Sequence, residues 1–166
     1  LRSRGLGDVY KRQLPIIMCF QSLILDMAGN VGTQSLAVTI RVLMDESLTG
    51  KQKLELVFKE MRIGLCNGGV LGLMSFVLIG LYIWLFKGKT LIFAFAVSAC
   101  IGSSLLLAML ISSAVGTCIP LFFKKIHIDP AVASGPLITT VNDLVAVISY
   151  YGLSWIFLIG ALHLAG

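Results

Sequence analysis

Four long apolar stretches, separated by short polar or charged breaks, organise this chain. They run from about Leu14 to Leu43, Ile63 to Phe86, Leu91 to Phe123 and Leu137 to Leu162. A membrane-crossing helix needs roughly 20 apolar residues, and each stretch reaches that length. The pattern predicts an all-α integral membrane protein, a bundle of about four transmembrane helices. The third stretch is too long for a straight perpendicular crossing, so it is expected to tilt, bend or extend beyond the bilayer.

The breaks carry their own signals. Residues 44–62, MDESLTGKQKLELVFKEMR, are charged, and Leu54, Val57, Phe58 and Met61 fall on one helical face. This predicts a short amphipathic cytoplasmic helix at the membrane surface, with Asp45 and Ser47 offering its start. A KGK turn at 87–89 closes the second stretch. In KKIHIDPAVASGP, Asp129 before Pro130 is a helix start, an aspartate cap followed by proline in the first turn. Gly135-Pro136 is expected to interrupt that helix before the last span. Residues 1–13, LRSRGLGDVYKRQ, show no helical period and no apolar signal core, and read as a non-native tail: a translated adaptor, an expression scar or a mis-joined end. The membrane domain is then 14–166.

Composition strengthens the membrane reading. The chain is 57% hydrophobic and 13% charged, against roughly 25% charged in soluble domains. The net charge of +5 lies in the breaks between apolar stretches rather than in one patch, which argues for topology determinants and no nucleic-acid partner. With the tail set aside, seven basic residues (Arg41, Lys51, Lys53, Lys59, Arg62, Lys124, Lys125) lie on one side and two (Lys87, Lys89) on the other. The positive-inside rule places 44–62 and 124–129 in the cytoplasm. Counting the tail would add four basic residues, Arg2, Arg4, Lys11 and Arg12, to the second side and nearly erase the bias. Cys19, Cys66, Cys100 and Cys118 all sit in apolar stretches without CxxC or zinc-type spacing, and read as packing residues.

Small residues recur every four positions: Gly64, Gly68 and Gly72 in the second span, then Ala94, Ser98, Gly102 and Ala108, Ser112, Gly116 in the third. Such ridges let helices approach closely.

Two acidic residues lie inside the apolar spans, Asp26 and Asp143. A charge at the bilayer centre costs at least about 2.5–3.5 kcal/mol, so each should face protein, water or an ion. Asp26, Asn30 and Gln34 recur at four-residue intervals with Gly29 and Gly32 between them, and Thr139 stands one turn before Asp143, beside Thr140 and Asn142. The donors are oxygens and amides, with no His or Cys, which suits a hard and strongly hydrated cation such as Mg2+ better than zinc or copper. The competing reading is that Gln34, Asn142 and Thr140 simply hydrogen-bond between helices, and that Asp26 caps a helical break near Gly29. An aspartyl protease dyad of Asp26 and Asp143 is a third possibility, but the YD and GxGD signatures of that class are absent.

Two motifs bring a family into view. DMAGNVGTQSLAVTIRVL at 26–43 resembles the GN-x-G-[ST]-Q-[ST] signature of MgtE-type magnesium channels and their eukaryotic solute-carrier relatives. IDPAVASGPLITTVNDL at 128–144 is similar to the DPA-x-x-SGP-x-x-T-x-x-D stretch that opens that family's last membrane helix. The resemblance implies a multi-pass cell-membrane protein (in bacteria, of the inner membrane) and not an enzyme. It implies a homodimer whose hydrated Mg2+ pathway follows the two-fold axis. By the same resemblance Asp143 holds the ion at the pore centre, with Thr139, Asn30 and Gly29 along its path; the residue pattern itself adds Asp26 and Asn142 as further candidates. Members have five membrane helices, and bacterial ones also carry a cytoplasmic regulatory region with CBS domains, so the chain reads as a fragment. A carrier for cobalt or manganese, or an inactive membrane scaffold, are the alternatives.

Overall fold

The computed structural model describes residues 15, 18–45 and 48–164; the expected tail lies outside them. Among the described residues four long helices follow one another, α1 (Gln21–Asp45), α2 (Gly50–Lys87), α3 (Leu91–Lys125) and α4 (Pro130–Leu164), and no strand occurs. The fold is an all-α membrane domain. Helix α2, helix α3 and the Gly135–Phe157 part of α4 are long and apolar enough to cross a membrane. Helix α1, interrupted by Asp26, Asn30, Thr33 and Gln34, is less apolar despite its 25 residues.

Local chemistry sets the helix ends. The charged segment and the second span form one helix rather than a surface helix and a separate span. Its start is neither Asp45 nor Ser47 but Thr49, through a capping box: the Gln52 amide N–H donates to the Thr49 hydroxyl and the Thr49 N–H donates to Gln52 Oε1 at 2.8 Å. No proline lies between Gly50 and Lys87, the Gly68-Gly69 pair leaves the helix continuous, and at 38 residues it is about 57 Å long. Gly88 ends it in the left-handed conformation, φ 59°. The Thr90 hydroxyl caps α3 by accepting from Phe93 N at 3.4 Å. As expected, Asp129 starts α4, its Oδ1 accepting from Ala131 N at 2.9 Å.

Gly135-Pro136 does not break α4, which continues to Leu164. Pro136 sits in the second turn, where one helical bond is lost but the chain before it is already held by the Asp129 cap. The carbonyl left without its helical donor is that of Val132, and the helix continues past it. Beyond the proline, Thr139 Oγ1 donates to Gly135 O (3.2 Å) and Thr140 Oγ1 to Pro136 O (3.0 Å).

Helix α3 is the centre of the bundle and packs on α1, α2 and α4, whereas α1 and α2 touch only marginally. The two small-residue stripes of α3 serve two different neighbours. Gly102 meets Gly72 of α2, backbone against backbone, while Gly116 meets Gly32 of α1. Along the α2 seam the contacts run Gly72–Gly102, Gly68–Leu106 and Gly64–Met109/Ser113, an antiparallel register in which glycine's missing Cβ sets the approach. Glu60, in the segment read as a charged surface helix, falls one turn before Gly64 on this buried face and is only 2% exposed.

Several hydroxyls inside the bundle bond to their own helix: Ser104 Oγ donates to Cys100 O at 2.7 Å and Thr117 Oγ1 to Ser113 O at 2.9 Å. Larger apolar side chains face outward instead, among them Leu73, Leu78, Leu85, Ile148 and Ile156. An exterior of this kind is stable only with hydrocarbon as solvent.

Candidate functional site

Helices α1 and α4 are pinned at two levels. At one, Tyr151 Oη donates to Gln21 Oε1 at 2.8 Å, and fully buried Tyr150 packs with Ile24, Ala28 and Ala146 in the core. At the other, the amide of Asn142 sits where a Cβ on Gly32 would stand. Outside this seam the two helices diverge enough to leave an open polar groove of about 290 Å³, lined by Leu25, Asp26, Gly29, Asn30, Thr33, Thr139 and Asp143.

Five of the six residues singled out from sequence therefore meet on one wall: Asp26, Gly29 and Asn30 from α1, Thr139 and Asp143 from α4. Helical periodicity is the reason. Residues 26, 29, 30 and 33 share one face of α1, and 139 and 143 share one face of α4. Asn142 departs from this set. It is fully buried, about 100° round the helix from Asp143, and it does not line the groove. Its Nδ2 and Oδ1 have no partner among the described residues, nor does the Oγ of buried Ser112. An amide buried in that way costs roughly 1–3 kcal/mol. Gln34 and Thr140 are exposed and also outside the lining.

Thr33 is the lining residue that sequence reading passed over. Stepping by four from Asp26 leads to Asn30 and then Gln34, but each such step gains 40° on a helix of 3.6 residues per turn. The three-residue step to Thr33 brings the face back. The two glycines also part company: a Cβ on Gly29 would meet nothing within 4 Å, whereas one on Gly32 would collide with Asn142. Gly32 serves close packing, and Gly29 keeps the groove wide.

The polar atoms of the groove are prepared to accept. Asn30 Nδ2 points toward Asp26 Oδ2 at 3.5 Å, leaving the Asn30 carbonyl oxygen free of that contact. Thr33 Oγ1 spends its proton on Gly29 O (2.9 Å) or Asn30 O (3.0 Å), and Thr139 Oγ1 on Gly135 O. Both hydroxyls are left presenting lone pairs. The Asp26, Asn30, Thr139 and Asp143 side chains are exposed. Among the described residues no three of His, Cys, Asp and Glu converge as a chelating cage. The groove thus presents oxygen acceptors and two carboxylates on one open face, with a volume above the roughly 180 Å³ that six waters occupy.

The divalent cation transporter family MgtE matches residues 21–153, which include both groove-forming motifs. The chain is 38% identical over 147 residues to the magnesium transporter MgtE of Bacillus subtilis (strain 168), covering 89% of this chain and 31% of the relative. It is 37% identical over 143 residues to the magnesium transporter MgtE of Enterococcus faecalis (86% of this chain, 30% of the relative). The counterpart from Thermus thermophilus is 31% identical over 136 residues, covering 82% and 28% respectively. The chain thus spans about a third of the length of these curated relatives. With the family model matching residues 21–153 and three relatives 31–38% identical over most of this chain, it belongs to the MgtE family of divalent cation transporters.

Proposed function

We propose that this chain forms the ion-conducting part of a magnesium transporter in the cell membrane, with the α1/α4 groove as one wall of the path. The observation that carries the proposal is the exposure of two carboxylates, Asp26 and Asp143, on the outer face of a membrane bundle. In lipid each would cost at least about 2.5–3.5 kcal/mol. A second copy applied groove to groove would remove both carboxylates from lipid and enclose an aqueous passage lined by oxygen. Asp143 supplies the charge at its centre. Asn30, Thr33 and Thr139 offer oxygens to the waters around the ion, Gly29 keeps the passage wide, and Asp26 adds charge at its flank. Mg2+ gives up its water reluctantly, so a wide ring of acceptors lets it pass hydrated, and no covalent chemistry is involved.

A second reading, transport of cobalt or manganese, rests on the same oxygen-only lining, because such sites separate divalent ions by size and hydration alone. The deciding experiment is Mg2+ flux into liposomes by the full-length protein, Asp143 against Asp143→Ala at matched insertion, repeated with Co2+ and Mn2+ competing. Magnesium-selective flux lost in the variant supports the reading. Unchanged flux removes Asp143 from the path, and preferential Co2+ or Mn2+ flux moves the assignment to the second reading.

A further inference from the structure

We propose that Asn142 and Ser112 form a polar latch between α4 and α3 that sets the rotation of α4, and with it the aim of the Asp143 carboxylate into the groove. The proposal rests on the reading of Asp143 given above and assigns Asn142 as a positioning residue rather than an ion ligand.

Two independent contacts bring the pair to one level. Between α3 and α4, the Sγ of Cys100 and the Oγ of Ser154 lie 3.4 Å apart. The helices are joined by a short connection and run antiparallel, so twelve residues along α3 to Ser112 matches twelve residues back along α4 to Asn142. From α1, Gly32 touches Asn142 on one side and Gly116 on the other, and Gly116 lies one turn from Ser112 on the same face of α3. The first route sets Asn142 level with Ser112 and the second within about one turn of it, at Gly116; both residues lie in a three-helix junction closed to solvent, each 0% exposed.

What the junction contains is unusual for a packing contact. Gly32 leaves a cradle for the Asn142 side chain, and an apolar side chain of similar size would fill it without burying unsatisfied groups. Instead an amide donor, an amide acceptor and a hydroxyl lie there unpartnered. Their hydrogen-bonding capacities are complementary, and buried polar groups in native proteins are paired. A small turn of α4 about its axis closes the pair. Asn142 and Asp143 are neighbours on one helix, so the same turn carries the carboxylate across the groove.

The test uses the full-length protein in liposomes and compares Asn142→Leu, which keeps the cradle filled, with Ser112→Ala, the double variant and Asn142→Ser. The latch predicts that each of the first two lowers Mg2+ flux by about tenfold and shifts the Mg2+ to Co2+ flux ratio, with the double variant no worse than either. Asn142→Ser, polar but shorter, should recover most of the loss. Wild-type flux and ratio in Asn142→Leu would show that the side chain only packs, and additive losses would show that the two residues act separately; either overturns the latch. A second readout does not depend on Asp143 being in the ion path: a cysteine substituted for Asp143, with the four native cysteines replaced, is labelled by a water-soluble maleimide. Asn142→Leu should change that labelling rate at least severalfold even if Asp143→Ala leaves flux intact, and an unchanged rate overturns the latch by itself.

Discussion

The α2/α3 seam and the α1/α4 groove are both built from glycines and small polar residues, yet they are opposite kinds of surface. In the seam, Gly64, Gly68 and Gly72 are all filled against by α3, so closely that an added Cβ on Gly72 would come within 2.7 Å of Gly102 O. In the groove, a Cβ on Gly29 would find open space. The seam's hydroxyls bond to their own helix, as Ser98 Oγ does to Phe95 O and Ser113 Oγ to Leu110 O. The groove's hydroxyls do the same with their protons but turn their lone pairs outward, beside two exposed carboxylates. Glycine spacing alone therefore announces close helix packing in one place and an open groove in another. What separates them is whether acidic and amide residues share the face.

The comparison can be broken most forcefully at the seam. Gly72→Val should force α2 away from α3 and lose most correctly inserted protein; overpacking of this kind costs typically about 1–3 kcal/mol, and the apposed group is rigid backbone. Thermal unfolding in detergent, with wild-type Tm as the opposing outcome, checks it. Next in size is Gly32→Ala, where the displaced group is the buried Asn142 amide. A loss of about 1–3 kcal/mol in stability is expected, together with reduced Mg2+ flux.

Smaller effects sharpen the contrast. Asp26→Asn removes one charge while keeping the shape and the contact to Asn30, so Mg2+ flux should fall but persist. Complete loss would give Asp26 the central role assigned to Asp143. Gly29→Ala should fold normally, with stability within about 0.5 kcal/mol of wild type apart from a small gain in helix propensity. Any defect should appear in flux, because the methyl group enters the passage. A folding defect comparable to that of Gly32→Ala would mean that the two glycines do not differ as described.

Much of the site was legible because helical periodicity is a local property. Once 26–43 and 137–162 are read as helices, Asp26, Gly29 and Asn30 must share a face, and so must Thr139 and Asp143. Thr33 was missed because a four-residue step was followed where the helix required a three. Asn142 was grouped with Asp143 by proximity in sequence, although neighbours on a helix point about 100° apart. Gly135-Pro136 reads as a break because proline's local cost is visible in sequence, while its place in the second turn of one continuous helix is not.

By itself, the sequence determined the solvent, the helical class and the oxygen-only chemistry, since these follow from composition, apolar run length and residue type. It also carried the two motifs that tie the chain to its family. Only the tertiary structure decided which helices meet: α3 at the centre, its Gly102 stripe spent on α2 and its Gly116 stripe on α1. It also decided that the α1 and α4 faces converge on one groove, and that Glu60 and Asn142 are buried rather than at a surface. The physical reason is that a helix's own period says which residues share a face but nothing about what that face will meet. That choice depends on packing between segments far apart in the chain.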